Sequence, residues 1–563
     1  MLKNNGIPIK GVHLSFTAQM MRFEHMLTLI DDLARWGFNT LMLDYCNRFP
    51  FAGRFEKARA PDAFTKEQVQ TLIAKANAVG IQLIPLLQCL GHLPWLLRLD
   101  EFAQYGEGYG NANQPPPIFG IPLCEAGLCP SRPEALSLFL EMADQVLALH
   151  KNARYFHIGG DEVELDPNCP HCQSRHTTEG PHGILAAHYK QAARDIRSRG
   201  PDPIIWGDMI LAYPETLDAL RGHVTVMDWD YWSTLQPSPH LSLLWGIRGN
   251  ADPHNPETWR EIQKKILRPY VYSHDPHLFK PFPFTQLLRD YGFPVIAAPA
   301  ARSHGDSSIV PKALHVDNTI AAVRTAAQCH ILGVMITSWD VRRSPWPLAE
   351  LTLMTGGHLL NCPQATQQQI DLRFAQEYFG MDDTTYAQIP RWLGQTSAQA
   401  IRTADLLSSR VYFDRNTGQR LAKPLQDQDF KWARANPTIF LNAYESLKDA
   451  AAKTRVLLEK ATPSTQRQKD RVTLWLWACD LLTYFTDLAP QILIETGKHN
   501  KPTLENLRSR GEHLRQTTTQ ILAPLYTNWT MQSEDQTRFH VPLAYIDEML
   551  RACYYSEHYS SNT

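Results

Sequence analysis

The sequence predicts an α/β protein, a (β/α)8 TIM barrel followed by an all-helical C-terminal region. Eight short apolar runs alternate with longer helical patterns over the first two thirds of the chain, as in a parallel sheet that is covered by helices. Eight such units close a (β/α) barrel. Strand signals stop near residue 365, which predicts a barrel at 1–365 and a helical region at 366–563.

The predicted strands are short runs of apolar residues, many of them β-branched, that are bounded by polar or turn-forming residues. Their near-continuous apolar character favours strands that are buried on both faces. They cover residues 10–16, 38–44, 81–87, 154–160, 203–208, 224–230, 294–300 and 333–339.

The predicted helices follow from apolar residues that recur at helical spacing, most clearly in 132–150, where Ser131 and Glu134 predict a capping box. The other barrel helices are predicted at 18–35, 66–79, 184–199 and 316–330. The C-terminal helices, which we expect to pack as a bundle against the barrel, are predicted at 366–379, 395–410, 437–461, 470–496, 503–527 and 541–556.

Composition and charge exclude several classes of function. The 563 residues carry a net charge of −2, which gives no reason to expect a nucleic acid or an anionic membrane as partner. Met1 is followed by no secretory signal, and no 18-residue apolar stretch occurs, so we expect a soluble, cytoplasmic protein. The ten cysteines are scattered, mostly in apolar contexts, which is typical of reduced thiols.

Polar and aromatic side chains follow the predicted strands, at the end of a barrel where reactive groups lie. Two carboxylates among several tryptophans and tyrosines are typical of a sugar site, where acids act at the glycosidic bond. These strand ends carry Asp44, His92, Asp161, Glu162, Trp206, Asp208, Trp229, Tyr231, Trp339 and Asp340.

The stretch HIGGDEV begins at His157 and contains two adjacent carboxylates, Asp161 and Glu162. Along a strand His157 and Asp161 point to the barrel interior, whereas Glu162 has the opposite parity. The two glycines remove side chains where a ligand or a neighbouring backbone comes close. The adjacent acids can therefore address two different atoms of one ligand.

HIGGDEV resembles the H-x-G-G-D-E signature of family 20 glycoside hydrolases, the β-N-acetylhexosaminidases. The segments IQLIPLLQCLGHLPWLLRLDEFA and LCPSRPEAL are similar to the branch of that family whose barrel begins at the N-terminus. WGD and TSWD resemble the ends of that family's fifth and eighth strands. The resemblance covers about residues 8–365 and leaves the helical region unmatched except in general character.

The resemblance implies an exo-acting, retaining enzyme that removes terminal β-linked GlcNAc or GalNAc from glycans or glycoconjugates. In this family the 2-acetamido oxygen of the substrate is the nucleophile, so no protein nucleophile is required. By resemblance, Glu162 is the general acid and base, and Asp161 orients the acetamido group and stabilises the oxazolinium. The resemblance implies no cofactor and no catalytic metal.

The resemblance also implies a set of sugar-binding residues. Trp206, Trp229 and Trp339 are expected to form the acetamido pocket and the sugar face, and Tyr231, with Tyr272 as the alternative, holds the acetamido oxygen. Many relatives carry an arginine after the first strand, which this chain lacks, so Asp44 or Arg48 is expected in its place. The predicted set is Asp44, His92, His157, Trp206, Asp208, Trp229, Tyr231, Trp339 and Asp340.

Cys169 and Cys172, with His171 and His176 beside them, have the spacing of half a zinc site. No second pair of ligands follows at a suitable spacing. We therefore interpret the segment as a thiol loop, and we expect no metal.

Three other functions remain open from the sequence. A retaining glycosidase could use Glu162 as acid and Asp208 as nucleophile, and it would cleave sugars that lack an acetamido group. A non-catalytic carbohydrate-binding barrel would hydrolyse nothing, and a metal-dependent hydrolase built on the cysteine–histidine loop would be sensitive to chelators. The helical region either completes the site or forms a homodimer.

Overall fold

The computed structural model has a parallel barrel at the N-terminus and a mainly helical C-terminal region. Asp340 and the predicted helix 395–410, apart from residue 395, lie outside the described residues, and the predicted helix 541–556 is described only in part. The structure describes residues 6–17, 20–113, 121–239, 241, 255–303, 310–339, 344–395, 411–413, 420–422, 435–493, 500–527, 543–544, 546–551 and 553.

Eight parallel strands form the barrel in chain order, and β1 closes it by pairing with both β2 and β8. All eight predicted strands are confirmed. An extra strand, Ala300–Arg302, also pairs with β8 after an interruption at Pro299, which has no backbone N–H to donate. The barrel strands are β1 (Ile9–Ser15), β2 (Thr40–Asp44), β3 (Gln82–Leu86), β4 (Tyr155–His157), β5 (Asp202–Trp206), β6 (Thr225–Trp229), β7 (Val295–Ala298) and β8 (Gly333–Ser338).

Helices cover the outside of the barrel, and the predicted barrel helices are confirmed, except that the first begins at Phe23 and not at residue 18, because Met20–Met21 forms a short strand. The barrel helices are α1 (Phe23–Trp36), α2 (Lys66–Ala78), α3 (Pro133–Leu149), α4 (Gly180–Ser198), α5 (Leu217–Leu220), α6 (Pro283–Asp290), α7 (Leu314–Cys329) and α8 (Glu350–Asn361). Shorter helices lie at Pro94–Leu97, Asp100–Ala103, Leu123–Ala126, Gln173–Thr178, Asp208–Ala212, Glu261–Ile266 and Arg268–Val271.

The predicted capping box of α3 is wrong. Arg132 is the N-cap residue and makes no side-chain capping bond. The Ser131 hydroxyl instead accepts hydrogen bonds from Cys172 Sγ at 3.1 Å and from Arg175 Nη1 at 3.3 Å. A tertiary contact therefore replaces the local cap.

The C-terminal region is mainly helical, as predicted, and two short strand pairs are added to it. Val411–Phe413 pairs with Arg420–Ala422, and Tyr526–Thr527 pairs with Met20–Met21 near the barrel. None of the described helices is both long enough and apolar enough to cross a bilayer. The C-terminal helices are α9 (Gln367–Phe374), α10 (Gln388–Gly394), α11 (Pro437–Glu459), α12 (Gln466–Leu493) and α13 (Lys501–Leu522).

Two layers of apolar side chains position the strand ends. Alternate residues of each strand point inward and form a separate internal cluster, whereas their neighbours pack under the helices. Trp206, which is 1% exposed, is the largest inward-facing side chain of β5. The internal cluster consists of Ile9, Met42, Ile84, Leu86, Tyr155, Ile204, Trp206, Met227, Ile296, Ala298 and Met335.

A buried ionic network joins the barrel to α12. Glu350, at the start of α8, pairs with Arg471 of α12, and both side chains are under 10% exposed. Arg467 of the same helix pairs with Asp32 of α1 and lies 3.8 Å from Glu350. The Arg471 guanidinium also lies 4.3 Å from the centre of the Tyr378 ring. Removal of one partner would leave an uncompensated buried charge, which is costly.

We expect Arg471→Leu to lower the free energy of unfolding by about 3–5 kcal/mol, because the buried Glu350 carboxylate loses its hydrogen-bonded cation and keeps only the more distant Arg467. Chemical denaturation followed by circular dichroism measures the change. The matched control is Arg455→Leu, which breaks an exposed pair with Asp480 and should cost about 1 kcal/mol or less. Adding Glu350→Gln to Arg471→Leu should recover part of the loss. Equal, small effects of the two single substitutions would contradict the role of the network.

Candidate active site

The backbone after β4 turns sharply to present the two adjacent acids. β4 ends at His157, and Gly159 and Gly160 follow with φ of +69° and +89°. A Cβ on Gly159 would clash with the side-chain amide of Gln88, so glycine is required there. Glu162 also has a positive φ, +51°, which is uncommon for a residue with a side chain. The turn directs Asp161 and Glu162 to different sides of the site.

Asp161 is held by side chains from the segment that follows β3. Gln88 Nε2 donates to Asp161 Oδ1 at 2.9 Å, and the Gln88 amide oxygen accepts from the Gly160 N–H at 3.1 Å. His92 Nε2 lies 3.3 Å from Asp161 Oδ2. The Asp161 side chain is 11% exposed, so its two oxygens are positioned almost entirely by protein groups.

His92 lies between the two acids, because its Nε2 is also 3.3 Å from Glu162 Oε2. Burial acts to lower the pKa of His92, but the carboxylates of Asp161 and Glu162 outweigh it and raise that pKa well above its ordinary value. Burial conversely acts to raise the pKa of Asp161, and His92 and Gln88 reverse this and lower it. The arrangement therefore favours an imidazolium beside an ionised Asp161.

Asp208, which follows β5, supports the pair from the other side. Its two oxygens accept from the Glu162 backbone N–H at 2.8 Å and from Trp229 Nε1 at 3.3 Å. Burial, with the nearby Asp161 charge, raises the pKa of Asp208 well above its ordinary value. Both Asp208 oxygens are thus engaged by protein groups, and the raised pKa favours the neutral acid.

Three aromatic side chains lie at the barrel mouth, from the ends of β6 and β8. Trp339 Nε1 donates to the Tyr231 hydroxyl at 2.7 Å, and the Tyr231 ring lies 5.2 Å from that of Trp229. Tyr272, the alternative to Tyr231, packs against Trp259 and Phe279 instead. The structure therefore groups Tyr231, and not Tyr272, with Trp339 and Trp229.

Trp206 and His157 lie below this mouth, inside the barrel, with ring centres 4.6 Å apart. His157 Nδ1 accepts from the Gly159 N–H at 2.9 Å, and burial lowers the pKa of His157 to about 3. Both residues are under 2% exposed. They are therefore placed to support the site from beneath, and Trp206 presents almost no surface to a ligand.

Asp44, at the end of β2, is buried near the acids. Ser15 Oγ donates to Asp44 Oδ2 at 3.3 Å. Burial, together with the Asp161 charge, raises the pKa of Asp44 to about 7. Arg48 pairs with Asp62 at 3.2 Å and donates to the Phe16 carbonyl, so protein groups already bind its guanidinium. Asp340 lies outside the described residues, and its predicted role stays a prediction.

Sequence reasoning assigned no role to Gln88 or His13. Gln88 follows β3 and makes two of the bonds that fix the Asp161 turn. His13 points inward from β1, with its ring 4.5 Å from that of Trp339, and burial lowers its pKa to about 3. The alternation of side chains along β1 identifies His13 as inward-facing. No pattern in the sequence near Gln88 predicts its hydrogen bond to Asp161, which lies 73 residues further along the chain.

Two groups of side chains in the described residues have ligand atoms that all lie within 4.8 Å of one another. One is His92, Asp161 and Glu162, where the raised pKa of His92 favours an imidazolium without a lone pair for a metal. This group suits proton chemistry. The other group contains Glu107 and three cysteines and lies beside the catalytic loops.

Residues 12–239 match the glycosyl hydrolase family 20 catalytic domain, and this segment runs from the middle of β1 to beyond β6. Hexosaminidase D of Homo sapiens is 27% identical over 242 residues, 41% of this chain and 47% of that protein. Hexosaminidase D of Bos taurus is 27% identical over 235 residues, 40% of this chain and 63% of that protein. The chain thus spans about half to two thirds of these relatives.

A solved structure of a family 20 exo-β-N-acetylglucosaminidase from Vibrio harveyi is 14% identical and covers 65% of this chain and 56% of its own chain. Its TM-score of 0.45 is too low to carry a functional argument. Residues 12–239, which hold most of the barrel strands, are therefore similar to the family 20 catalytic domain. Over this segment the chain is related in sequence to glycoside hydrolase family 20.

Proposed function

We propose that the protein is an exo-acting, retaining β-N-acetylhexosaminidase that removes terminal β-linked GlcNAc or GalNAc by substrate assistance. The observation that carries the proposal is the difference between two adjacent acids. Asp161 is fixed and held ionised by Gln88 and His92, whereas Glu162 is 20% exposed at the mouth. One acid is thus suited to charge stabilisation, and the other can reach a leaving group.

The proposed first step needs no protein nucleophile. The acetamido carbonyl oxygen attacks C1 as the C1–O bond to the aglycone breaks, and Glu162 gives its proton to the departing oxygen. The acetamido N–H donates to the Asp161 carboxylate, which stabilises the positive charge that develops on the cyclised group. Water then attacks C1, Glu162 takes its proton, and the acetamido group reopens with the β configuration retained.

The aromatic residues at the mouth have separate proposed roles. Trp339 holds the Tyr231 hydroxyl oxygen, which leaves the hydroxyl hydrogen available to the acetamido oxygen. Trp229, which Asp208 orients, offers its ring to the sugar. Asp44, in its buried position near Asp161, and His92 are suited to sugar hydroxyls, and His157 and Trp206 support them from below.

The retaining mechanism with Asp208 as nucleophile fits the geometry less well. Both Asp208 oxygens already accept hydrogen bonds, and its raised pKa favours the neutral acid, which is a poor nucleophile. A non-catalytic barrel would have no use for an ionised acid that is held beside a second, accessible one. A homodimer and a cytoplasmic location remain predictions.

A panel of chromogenic sugars tests the function. We expect hydrolysis of p-nitrophenyl β-GlcNAc or β-GalNAc and none of the matching β-glucoside or β-galactoside, because the latter lack the nucleophilic acetamido group. Retention of configuration is checked by NMR of the first product formed. Cleavage of the β-glucoside would favour a protein nucleophile, and inactivity on all four sugars would favour the binding barrel.

Glu162→Gln should lower kcat/KM on a natural disaccharide by about 10²–10⁴-fold, because the leaving oxygen loses its proton donor. The loss should be smaller with p-nitrophenyl substrates, whose leaving group needs little protonation. Steady-state kinetics on both substrates measures the difference. Glu164→Gln, the same change two residues along the chain, is the control and should keep near-normal rates. Unchanged disaccharide hydrolysis by Glu162→Gln would remove its assigned role.

Asp161→Asn should reduce kcat by about 10²-fold or more with a much smaller change in KM, because the charge matters most in the transition state. A thiazoline that mimics the cyclised intermediate should inhibit this variant far less than the unmodified protein. Asp208→Asn is the matched comparison and should cost less, since the raised pKa of Asp208 favours the neutral acid. The reverse order, or a fluorosugar trapped on Asp208, would establish the alternative mechanism.

His92→Asn should move the acidic limb of the kcat/KM profile to higher pH. The imidazolium of His92 lowers the pKa of Asp161, so the loss of that cation raises the pKa and the carboxylate protonates at a higher pH. Asparagine is chosen because it tolerates the backbone φ of +53° at this position. A limb that stays in place, or that moves to lower pH, would be incompatible with the assigned electrostatics.

A further inference from the structure

Four buried side chains that the catalytic site does not use converge beside it. Glu107, Cys129, Cys169 and Cys172 each place a ligand atom within 4.8 Å of the other three, and all four residues are under 2% exposed. They come from three segments of the chain, which follow β3, precede α3 and follow β4. The sequence shows only Cys169 and Cys172 as a pair, because Cys129 lies 40 residues upstream.

The separations of the sulfur atoms match a shared metal ion better than a disulfide. Cys129 Sγ lies 3.8 Å from Cys169 Sγ and 3.5 Å from Cys172 Sγ. A disulfide requires about 2.05 Å between sulfurs. Thiolates bound tetrahedrally to zinc at about 2.3 Å lie roughly 3.8 Å apart. The observed distances agree with the edges of such a tetrahedron.

Glu107 supplies a fourth ligand atom of the right kind. Its Oε2 lies 3.4 Å from Cys172 Sγ, and its Oε1 accepts from the Asp166 N–H at 3.0 Å. Within the part of the chain that the structure describes, Glu107 forms no ion pair with lysine or arginine. A buried carboxylate without a cation is costly, and a bound divalent ion would remove that cost.

The surroundings of the cluster would orient thiolate ligands. The Cys172 N–H donates to the Cys169 carbonyl at 3.0 Å, which closes the turn between the two cysteines. The Ser131 hydroxyl lies 3.1 Å from Cys172 Sγ, so it can donate to that sulfur once the thiol is deprotonated.

We propose that Glu107, Cys129, Cys169 and Cys172 form a structural zinc site. Three thiolates and one carboxylate in a tetrahedral arrangement leave no open position for water, which is typical of a structural site. The sulfur ligands favour zinc over magnesium, calcium or manganese. The expectation from sequence that this loop holds no metal is therefore revised.

The zinc site would fix the two loops that carry the catalytic residues. Next to Cys129, the Leu128 N–H donates to the Leu90 carbonyl at 2.8 Å, two residues before His92. Cys169 and Cys172 lie in the same loop as Asp161 and Glu162, between β4 and the helix Gln173–Thr178. One ion would thus tie the loop of His92 to the loop of the two acids.

The test measures metal directly in the full-length protein, purified after growth in medium with added zinc and dialysed against metal-free buffer. Mass spectrometry of the elements should give one zinc per chain, since the four ligands saturate one tetrahedral ion. Titration of thiols with a mercurial reagent should release this zinc. Cobalt(II) in its place should give sulfur-to-metal charge-transfer absorption and the intense visible bands of tetrahedral coordination.

Variants assign the ligands. After dialysis, Cys129→Ser and Glu107→Gln should contain much less zinc than the unmodified protein. Cys479→Ser, which changes a buried cysteine outside the cluster, should keep its zinc. His176→Gln should also keep it, because the His176 ring is not among the converging ligands. Loss of zinc in His176→Gln but not in Glu107→Gln would overturn the fourth ligand.

The unmodified protein decides the proposal even if a variant fails to fold. The site would be ruled out if the dialysed protein held much less than one zinc per chain and its cobalt(II) form showed no sulfur-to-metal charge-transfer absorption. A disulfide between any two of the three cysteines, found by mass spectrometry of the native protein, would overturn it as well. Zinc content and cobalt spectra do not depend on enzyme activity. The zinc proposal can therefore be tested even if the proposed hydrolase activity is not found.

Discussion

Two carboxylates on consecutive residues repel each other, and this repulsion is the constraint that the site is built around. In a partly buried pocket it would force one of the acids to become neutral. His92 offsets the repulsion at Asp161, since its Nε2 lies 3.3 Å from Asp161 Oδ2 and also 3.3 Å from Glu162 Oε2. The interaction is mutual, because the acids raise the pKa of His92 while His92 lowers that of Asp161. Asp161 can therefore stay charged where burial alone would neutralise it.

The barrel makes this compensation possible because its strands run in parallel and their carboxyl ends meet. The third, fourth and fifth strands bring Gln88 and His92, the acidic pair, and Asp208 together, although these residues span 121 positions of the sequence. Because Gly159 has no side chain, the Gln88 amide can approach the turn after β4, where its oxygen accepts a hydrogen bond from the Gly160 N–H. A barrel with other loops after these strands would keep the fold but would not form this site.

The sequence predicted the barrel well because each buried strand is a compact apolar run, and it predicted the acidic pair because both acids lie in one motif. Contacts between distant segments had no such signal. Three contacts form only in the folded chain and could not be predicted. They are the hydrogen bond from Gln88 to Asp161, the hydrogen bond from Cys172 to Ser131 and the close approach of the Cys129 and Cys169 sulfurs. The strands Met20–Met21 and Tyr526–Thr527 have two residues each, which is too short for an alternating pattern of apolar and polar residues.

Three buried aspartates of the site have different environments, and these suit different tasks. Asp161 faces a cation and has a lowered pKa, whereas Asp44 has a pKa raised to about 7 and Asp208 has a pKa raised well above its ordinary value. All three acids are buried, so the close contact with His92 is what distinguishes Asp161. A displacement of the His92 loop would therefore change the charge at Asp161 before it changed the shape of the pocket. Rigid attachment of this loop to the segment after β4 is thus an electrostatic requirement as much as a geometric one.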